Sequence, residues 1–271
     1  MPYNSSNKKT IAVIGNGYWG KIIIPYILEC FDIKYIVDSK FDKNIIWKDD
    51  SIEAVFIITP VNTHFNIAKD ALLHKKHVFV EKPITLNYDE AIELYNLSLK
   101  VNKQIVTDYI YTFSKGLNTL KYMADSDIKQ YIESSTYQLG KYTDFNVFTV
   151  LGSHHLSILN MFFDISKLDF EFIPILYKND VCTTGKILHN FGSILVSLDC
   201  NNKITNFKLF TNENIYEYNP KIGIITNVVE CRFDESNNLR YSIEFFKNVI
   251  EEKIKSNIEE SMTITKIIER L

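Results

Sequence analysis

Ile11-Ala12-Val13-Ile14-Gly15-Asn16-Gly17-Tyr18-Trp19-Gly20 decides the fold. Its first four residues are an unbroken apolar run, as expected for a strand buried on both faces of a parallel sheet. The glycines then fall as G-x-G-x-x-G, and an acid, Asp38, stands eighteen residues past the last of them. A strand, this turn, a following helix and a later acid together form a dinucleotide-binding pattern. Gly15 makes the tight turn, Gly17 lets backbone approach a pyrophosphate, and Gly20 lets the helix pack on the sheet. Asn16, Tyr18 and Trp19 fill the same loop, whose helix end offers free N–H groups to phosphate.

Outward from this segment the chain alternates strand and helix. Strands are expected at 11–14, 34–37, 54–59, 77–80 and 104–107. A helix follows the first strand to about residue 31, with Pro25 expected to kink it. A second spans 63–75, with Thr63 as its cap, and a third spans 89–100. Only fifteen residues, 39–53, join the second strand to the third, room for one short helix at 44–48. This rhythm predicts an α/β, doubly wound parallel Rossmann sheet over residues 1–112.

Past residue 115 the pattern changes. Helices at 116–124 and 154–163, and strands at 131–139, 170–177, 194–198 and 204–210, predict an α+β domain over 113–271 built round one sheet. The tail returns to helical spacing through Phe245, Val249, Ile254, Ile258, Ile264 and Ile268, a core-facing stripe whose helix can pack back on the first domain.

Composition narrows the partners. The 271 residues are 46% hydrophobic and 23% charged, with a formal net charge of −3, so no strong field draws nucleic acid or anionic membrane. The only arginines are Arg232, Arg240 and Arg270, which leaves phosphate to backbone N–H groups, helix ends and lysines. Cys30, Cys182, Cys200 and Cys231 show no metal-ligand spacing, so reduced thiols and no metal site are expected. No apolar run reaches a membrane span, and the one after the first ten residues is too short for a secretory signal; a cytoplasmic protein is expected.

Candidate site residues gather at the carboxyl ends of the strands, where open α/β sheets bind ligands. Asp38 can accept hydrogen bonds from ribose hydroxyls and favour NAD, or simply make a turn. Ser39 and Lys40 beside it can instead hold a 2′-phosphate, which keeps NADP open. Thr59 and Pro60 end the third strand, and His64 can line the nicotinamide side or be merely solvated. Glu81-Lys82-Pro83 ends the fourth. A lysine in a partly closed cleft can move protons, Glu81 can orient it, and Pro83 fixes the chain direction.

Four segments resemble the glucose–fructose oxidoreductase / inositol dehydrogenase / MocA (Gfo/Idh/MocA) family. They are residues 11–21 (IAVIGNGYWGK), residues 54–83 (AVFIITPVNTHFNIAKDALLHKKHVFVEKP), Asp108-Tyr109-x-Tyr111, and residues 151–159 (LGSHHLSIL). The resemblance implies a Rossmann domain and a C-terminal α+β domain on a large open, mostly antiparallel sheet that makes subunit contacts, hence a homo-oligomer (dimer or tetramer). It implies NAD(P)-dependent oxidoreductase chemistry on sugars, inositols or nucleotide sugars, with Lys82 and His154 as the catalytic pair. Asp108, Tyr109, His155 and Val150 become substrate-side candidates. The wording of DYIYTFS and HHLSIL is similar to members of nucleotide-sugar and surface-glycan pathways. At Val150 the family carries an aspartate, and the 39–53 connection is shorter than the family's. A dinucleotide-binding member without turnover, a sensor or partner subunit, is therefore the alternative.

Overall fold

In the computed structural model, which describes residues 8–38, 40–140, 144–226 and 230–270, the chain divides into two compact units. One comprises 1–108 and 239–265, the other 109–238 and 266–271.

The first unit is built on β1 (Thr10–Ile14), β2 (Asp32–Val37), β3 (Ala54–Ile57), β4 (His77–Glu81) and β5 (Ile105–Asp108). They are hydrogen-bonded in the order β2-β1-β3-β4-β5 and all run parallel. Ile11–Ile14 and all of β3 are completely buried, which is why they read as continuous apolar runs. β2 is an edge strand, and its burial alternates accordingly. Between β2 and β3 the short connection holds only α2 (Asn44–Trp47). With no further strand there among the described residues, the sheet ends at β2, beyond which the usual dinucleotide-binding order 3-2-1-4-5-6 places its third strand.

α1 (Tyr18–Cys30), α3 (His64–Leu73) and α4 (Tyr88–Val101) connect these strands. α1 continues through Pro25. α4 starts where Asn87 accepts from the Glu90 N–H at 3.1 Å, and stops at Asn102 in the left-handed region. The expected cap at Thr63 is corrected. A single 3-10 turn, Val61–Thr63, precedes α3, and the Thr63 hydroxyl lies 2.7 Å from both the Pro60 carbonyl oxygen and the Thr59 hydroxyl.

Chain from the far end of the sequence completes this unit. α7 (Asn238–Ile250) brings Phe246 against Phe31, Phe56 and Phe79, with ring centroids 5.3–5.9 Å from it. α8 (Ile258–Ile268) adds Ile258 to the core on which α3 and α4 also pack. The expected stripe is buried at Val249, Ile258, Ile264 and Ile268 but not at its first and third positions: Phe246, not Phe245, is fully buried, and Ile254 is an exposed residue between the helices. On the outer edge of β5, Asn257 accepts from the Thr107 N–H at 3.0 Å and donates to the Thr107 carbonyl at 2.8 Å. That side chain satisfies edge backbone which a sixth strand would otherwise pair.

The second unit holds α5 (Lys115–Met123), β6 (Lys129–Leu139), α6 (Ser153–Asn160), β7 (Phe170–Lys178), β8 (Val181–His189), β9 (Gly192–Ser197), β10 (Asp199–Thr211), β11 (Ile215–Asn219), β12 (Gly223–Ile225) and β13 (Glu230–Cys231). The eight strands order as β13-β12-β11-β10-β6-β9-β8-β7, antiparallel except for β6 with β9. Register puts Ile132, Ser134, Thr136, Ile194, Val196, Phe207 and Leu209 on one buried face. Glu133, Ser135, Lys186, Leu195, Lys208 and Glu217 share the opposite face, which is partly open and concave, with a groove of about 450 Å³. β7 and β8 turn through Asn179 and Asp180, both at positive φ, the mirror-image turn that suits two-residue hairpins.

Candidate functional site

The glycine loop carries its three residues for three different reasons. Gly15 sits at φ +113°, donates its N–H to Val37 at 2.8 Å, and a Cβ there would lie 2.1 Å from the Ile58 carbonyl oxygen. A Cβ on Gly20 would strike the Gly15 carbonyl oxygen at 2.3 Å. A Cβ on Gly17 would meet no protein atom within 4 Å. Gly17 is the N-cap of α1, with no side-chain cap and no acid in the first turn. No side chain caps the start of this 13-residue helix, the kind of helix end that suits a bound pyrophosphate. Asn16 and Tyr18 beside it are exposed.

At the end of β2, Asp38 is exposed, and its Oδ1 accepts the Lys40 N–H at 2.9 Å. The turn-making role is therefore present, and among the described residues it employs one carboxylate oxygen. Ser39 lies outside the described residues.

The ends of β3 and β4 are tied together through His64. The ring is 1% exposed, with Nδ1 2.9 Å from the Pro83 carbonyl oxygen and Nε2 2.8 Å from that of Thr59. Burial pushes its pKa down, and the Lys82 charge adds to that; the two carbonyls act in the opposite direction. This corrects the expectation that His64 lines the cofactor: the imidazole fastens two loops whose other residues, Thr59, Pro60, Glu81 and Lys82, are partly or fully exposed. Pro83 itself is buried, and the Lys82–Pro83 peptide is cis. Trp19, placed in the cofactor loop by its position in the motif, turns its indole N–H to Glu81 Oε1.

Asp108 and Tyr109 also depart from expectation. Asp108 is 2% exposed and accepts from the Ser242 hydroxyl at 2.6 Å; Tyr109 is fully buried. Neither presents a surface to substrate. Two residues farther on, Tyr111 is half-buried and sets its ring edge-on to His154, with centroids 5.0 Å apart at 86°. Ser242 had no signal in the sequence, being 134 residues from its partner.

In the second unit the chain enters α6 through one π turn, Phe148–Gly152, so the helical segment begins well before the expected residue 154. Val150 and His154 are four apart and both partly exposed. His155 faces the other way. It is 2% exposed, with Nδ1 2.9 Å from Ser134 Oγ and Nε2 2.9 Å from Thr136 Oγ1, and burial holds its pKa down to about 4. A neutral imidazole satisfies both hydroxyls, one as donor and one as acceptor. His155 is therefore corrected from a substrate candidate to a sheet-facing core residue.

Among the described residues no group of three or more His, Cys, Asp or Glu side chains could hold a metal, and no helix is long and apolar enough to cross a membrane. All four cysteines are free.

Residues 29–109 match the model of an oxidoreductase family with an NAD-binding Rossmann fold, Gfo/Idh/MocA. Over that stretch the chain is similar to this family. The match begins after the glycine loop and ends at the first residue of the second unit, so for the remaining parts the fold itself is the link. An uncharacterized oxidoreductase of Synechocystis is 29% identical over 123 residues, 38% of this chain and 33% of that protein. A UDP-N-acetylglucosamine 3-dehydrogenase of Acidithiobacillus ferrooxidans is 25% identical over 144 residues, 51% of this chain and 46% of that protein. A solved structure of an enzyme of that name and species has TM-score 0.80 at 17% identity, over 97% of this chain and 96% of that one. GenD2 from gentamicin A biosynthesis, in complex with NAD, has TM-score 0.86 at 15% identity, over 97% of this chain and 92% of that one. The structural likenesses, at these identities, establish the fold. The chain matches only about a third to a half of the length of these curated relatives.

Proposed function

We propose that this protein is a Gfo/Idh/MocA-family NAD(P)-dependent oxidoreductase acting on a hydroxyl or keto carbon of a sugar or nucleotide sugar, in sugar-nucleotide or surface-glycan metabolism. The observation that carries the reading is the open approach at Gly17 together with Lys82 at the carboxyl end of β4 in the same sheet. The fit to a dinucleotide is physical. An uncapped helix end, an open approach at Gly17 and an available Asp38 oxygen supply the donors and acceptor that pyrophosphate and ribose need. Asn16, Gly17 and Tyr18 would hold the phosphates, Asp38 the adenosine ribose, and Thr59, Pro60 and Lys82 the nicotinamide end. Bound there, the nicotinamide would exchange hydride with the substrate carbon.

Lys82 then has the proton to manage. Its ammonium orients the substrate oxygen, and its neutral amine accepts the hydroxyl proton on oxidation or returns it on reduction. In the second unit, His154 with Tyr111 and Val150 forms the candidate sugar-facing surface: an imidazole to donate or accept a hydrogen bond, a ring edge, and an apolar patch. The nucleotide-sugar class draws support from the UDP-N-acetylglucosamine 3-dehydrogenase relative. The partly open sheet face, mixing the Lys208–Glu217 ion pair with exposed Tyr131, Ile204 and Ile215, is proposed to pair with a second copy of the chain. The free cysteines suit a cytoplasmic setting.

A second reading, a dinucleotide-binding protein without turnover, is favoured by one residue: Val150, where the family carries an aspartate. Both are tested by incubating the protein with a panel of nucleotide sugars and NAD(P)(H) and following reduced-nicotinamide absorbance. Turnover that Lys82→Ala abolishes supports the enzyme. NADH binding without turnover in wild type and in Val150→Asp supports the second reading.

A further inference from the structure

Two carboxylates end neighbouring strands. Glu81 is the last residue of β4 and Asp108 the last of β5, and the two are register partners in the parallel ladder. Partners in such a ladder point to the same face, on strands about 4.8 Å apart. Around them the chain supplies neutral donors from two helices: the Trp19 indole of α1 to Glu81 Oε1, and the Ser242 hydroxyl of α7 to Asp108 Oδ1 at 2.6 Å. The Lys82 backbone N–H adds a long contact to Glu81 Oε2 at 3.3 Å. The charged groups that act on the pair are the two carboxylates themselves and Lys82.

Like charges this close, with Asp108 only 2% exposed, are costly to hold together, and one proton removes the repulsion. Burial first, and for Glu81 the neighbouring Asp108 next, push both groups above the ordinary carboxylate range; Lys82 and the donors act the other way. We infer that Glu81 and Asp108 share one proton at neutral pH and that Asp108, through this pair, is a positioning residue for Lys82. A doubly ionised pair would hold Lys82 as a fixed ammonium. A pair of net charge −1 leaves its proton exchangeable, because each nearby negative charge stabilises the charged amine. The role for Lys82 rests on the oxidoreductase reading; the shared proton does not.

The sequence has two tryptophans, Trp19 and Trp47, so 5-fluorotryptophan labelling gives two ¹⁹F signals, with Trp19 assigned by Trp19→Phe. In the cofactor-free protein, the Trp19 signal is expected to titrate near neutral pH, well above the ~4.3 of an ordinary glutamate. Glu81→Gln should remove that transition. Asp108→Asn should lower its midpoint by about one pH unit or more by deleting the like charge. That shift with an unchanged far-ultraviolet circular dichroism spectrum distinguishes charge coupling from a general loosening of the fold. A flat Trp19 signal, or one whose midpoint ignores Asp108→Asn, overturns the shared proton. The link to Lys82 is read separately, by the pH dependence of Lys82 acylation followed by peptide mass spectrometry. Asp108→Asn should bring acylation on at lower pH, and an unchanged profile overturns the positioning role. Neither arm needs substrate or turnover, so a protein that proves inactive would still give both results.

Discussion

The strand ends of the first unit and helix α6 of the second hold their candidate side chains by different means. At the ends of β3, β4 and β5 the backbone itself sets position, because each strand is locked by neighbours on both sides or by Asn257 at the edge. Where the strand stops, the next residues are at the ligand-facing edge. On α6 position follows from rotation about the helix, so adjacent residues have opposite fates: His154 is half-buried against Tyr111, and His155 is sealed between Ser134 and Thr136. A strand end announces a site by its place in the chain. A helix announces one only when its buried face is known.

The largest expected effect that follows is on turnover. Lys82→Ala should cost toward the upper end of the ~10²–10⁴-fold range for lost proton transfer, with NADH affinity within a few-fold of wild type. Steady-state rates with an active nucleotide sugar and a fluorescence titration measure the two. Next, His154→Ala should cost nearer ~10²-fold. A His154 effect equal to that of Lys82 would break the ranking of the two regions.

The sharper contrast is between neighbours. His155→Ala should leave kcat and KM of the folded protein near wild type but destabilise it by about 2–3 kcal/mol, since it opens a cavity and strips partners from two buried hydroxyls. Urea unfolding measures this. Its pH dependence is diagnostic. The folded-state pKa near 4 lies below the unfolded ~6.5, so the unfolded chain binds the extra proton. Stability from this residue is thus present above ~6.5 and is lost as pH falls toward 4. The difference in stability between wild type and His155→Ala should shrink over that window; a constant difference would contradict a neutral buried ring.

The smallest effect concerns cofactor choice. Asp38 would repel a 2′-phosphate, yet one of its oxygens is engaged by Lys40, so NAD should be preferred to NADP by only a modest factor. Dissociation constants for NADH and NADPH measure it, and tighter NADPH binding would reverse the assignment.

Much of this was legible in the sequence because it depends on chain-local chemistry. The buried strands of the parallel sheet read as apolar runs, and the short 39–53 connection held one small helix at Asn44–Trp47. β8 was not legible: its sequence VCTTGKILH mixes small polar residues with apolar ones, and its place comes from the hairpin at Asn179-Asp180. His64 carried a ligand-like signal, but its two carbonyl partners, Thr59 and Pro83, meet only in the folded sheet. For the same reason the burial of Asp108 under Ser242 could not be read from residues 134 positions apart.

The central claim is that the open space at Gly17 receives a dinucleotide whose reactive end meets Lys82. Titrating NADH fluorescence against wild type, Gly17→Val and Lys82→Ala tests it most directly. The valine places its side chain in the space where no protein atom lies within 4 Å, so the fold should persist while NADH affinity falls by about 100-fold or more, and Lys82→Ala should bind nearly as wild type. Equal affinity in wild type and Gly17→Val would contradict the account.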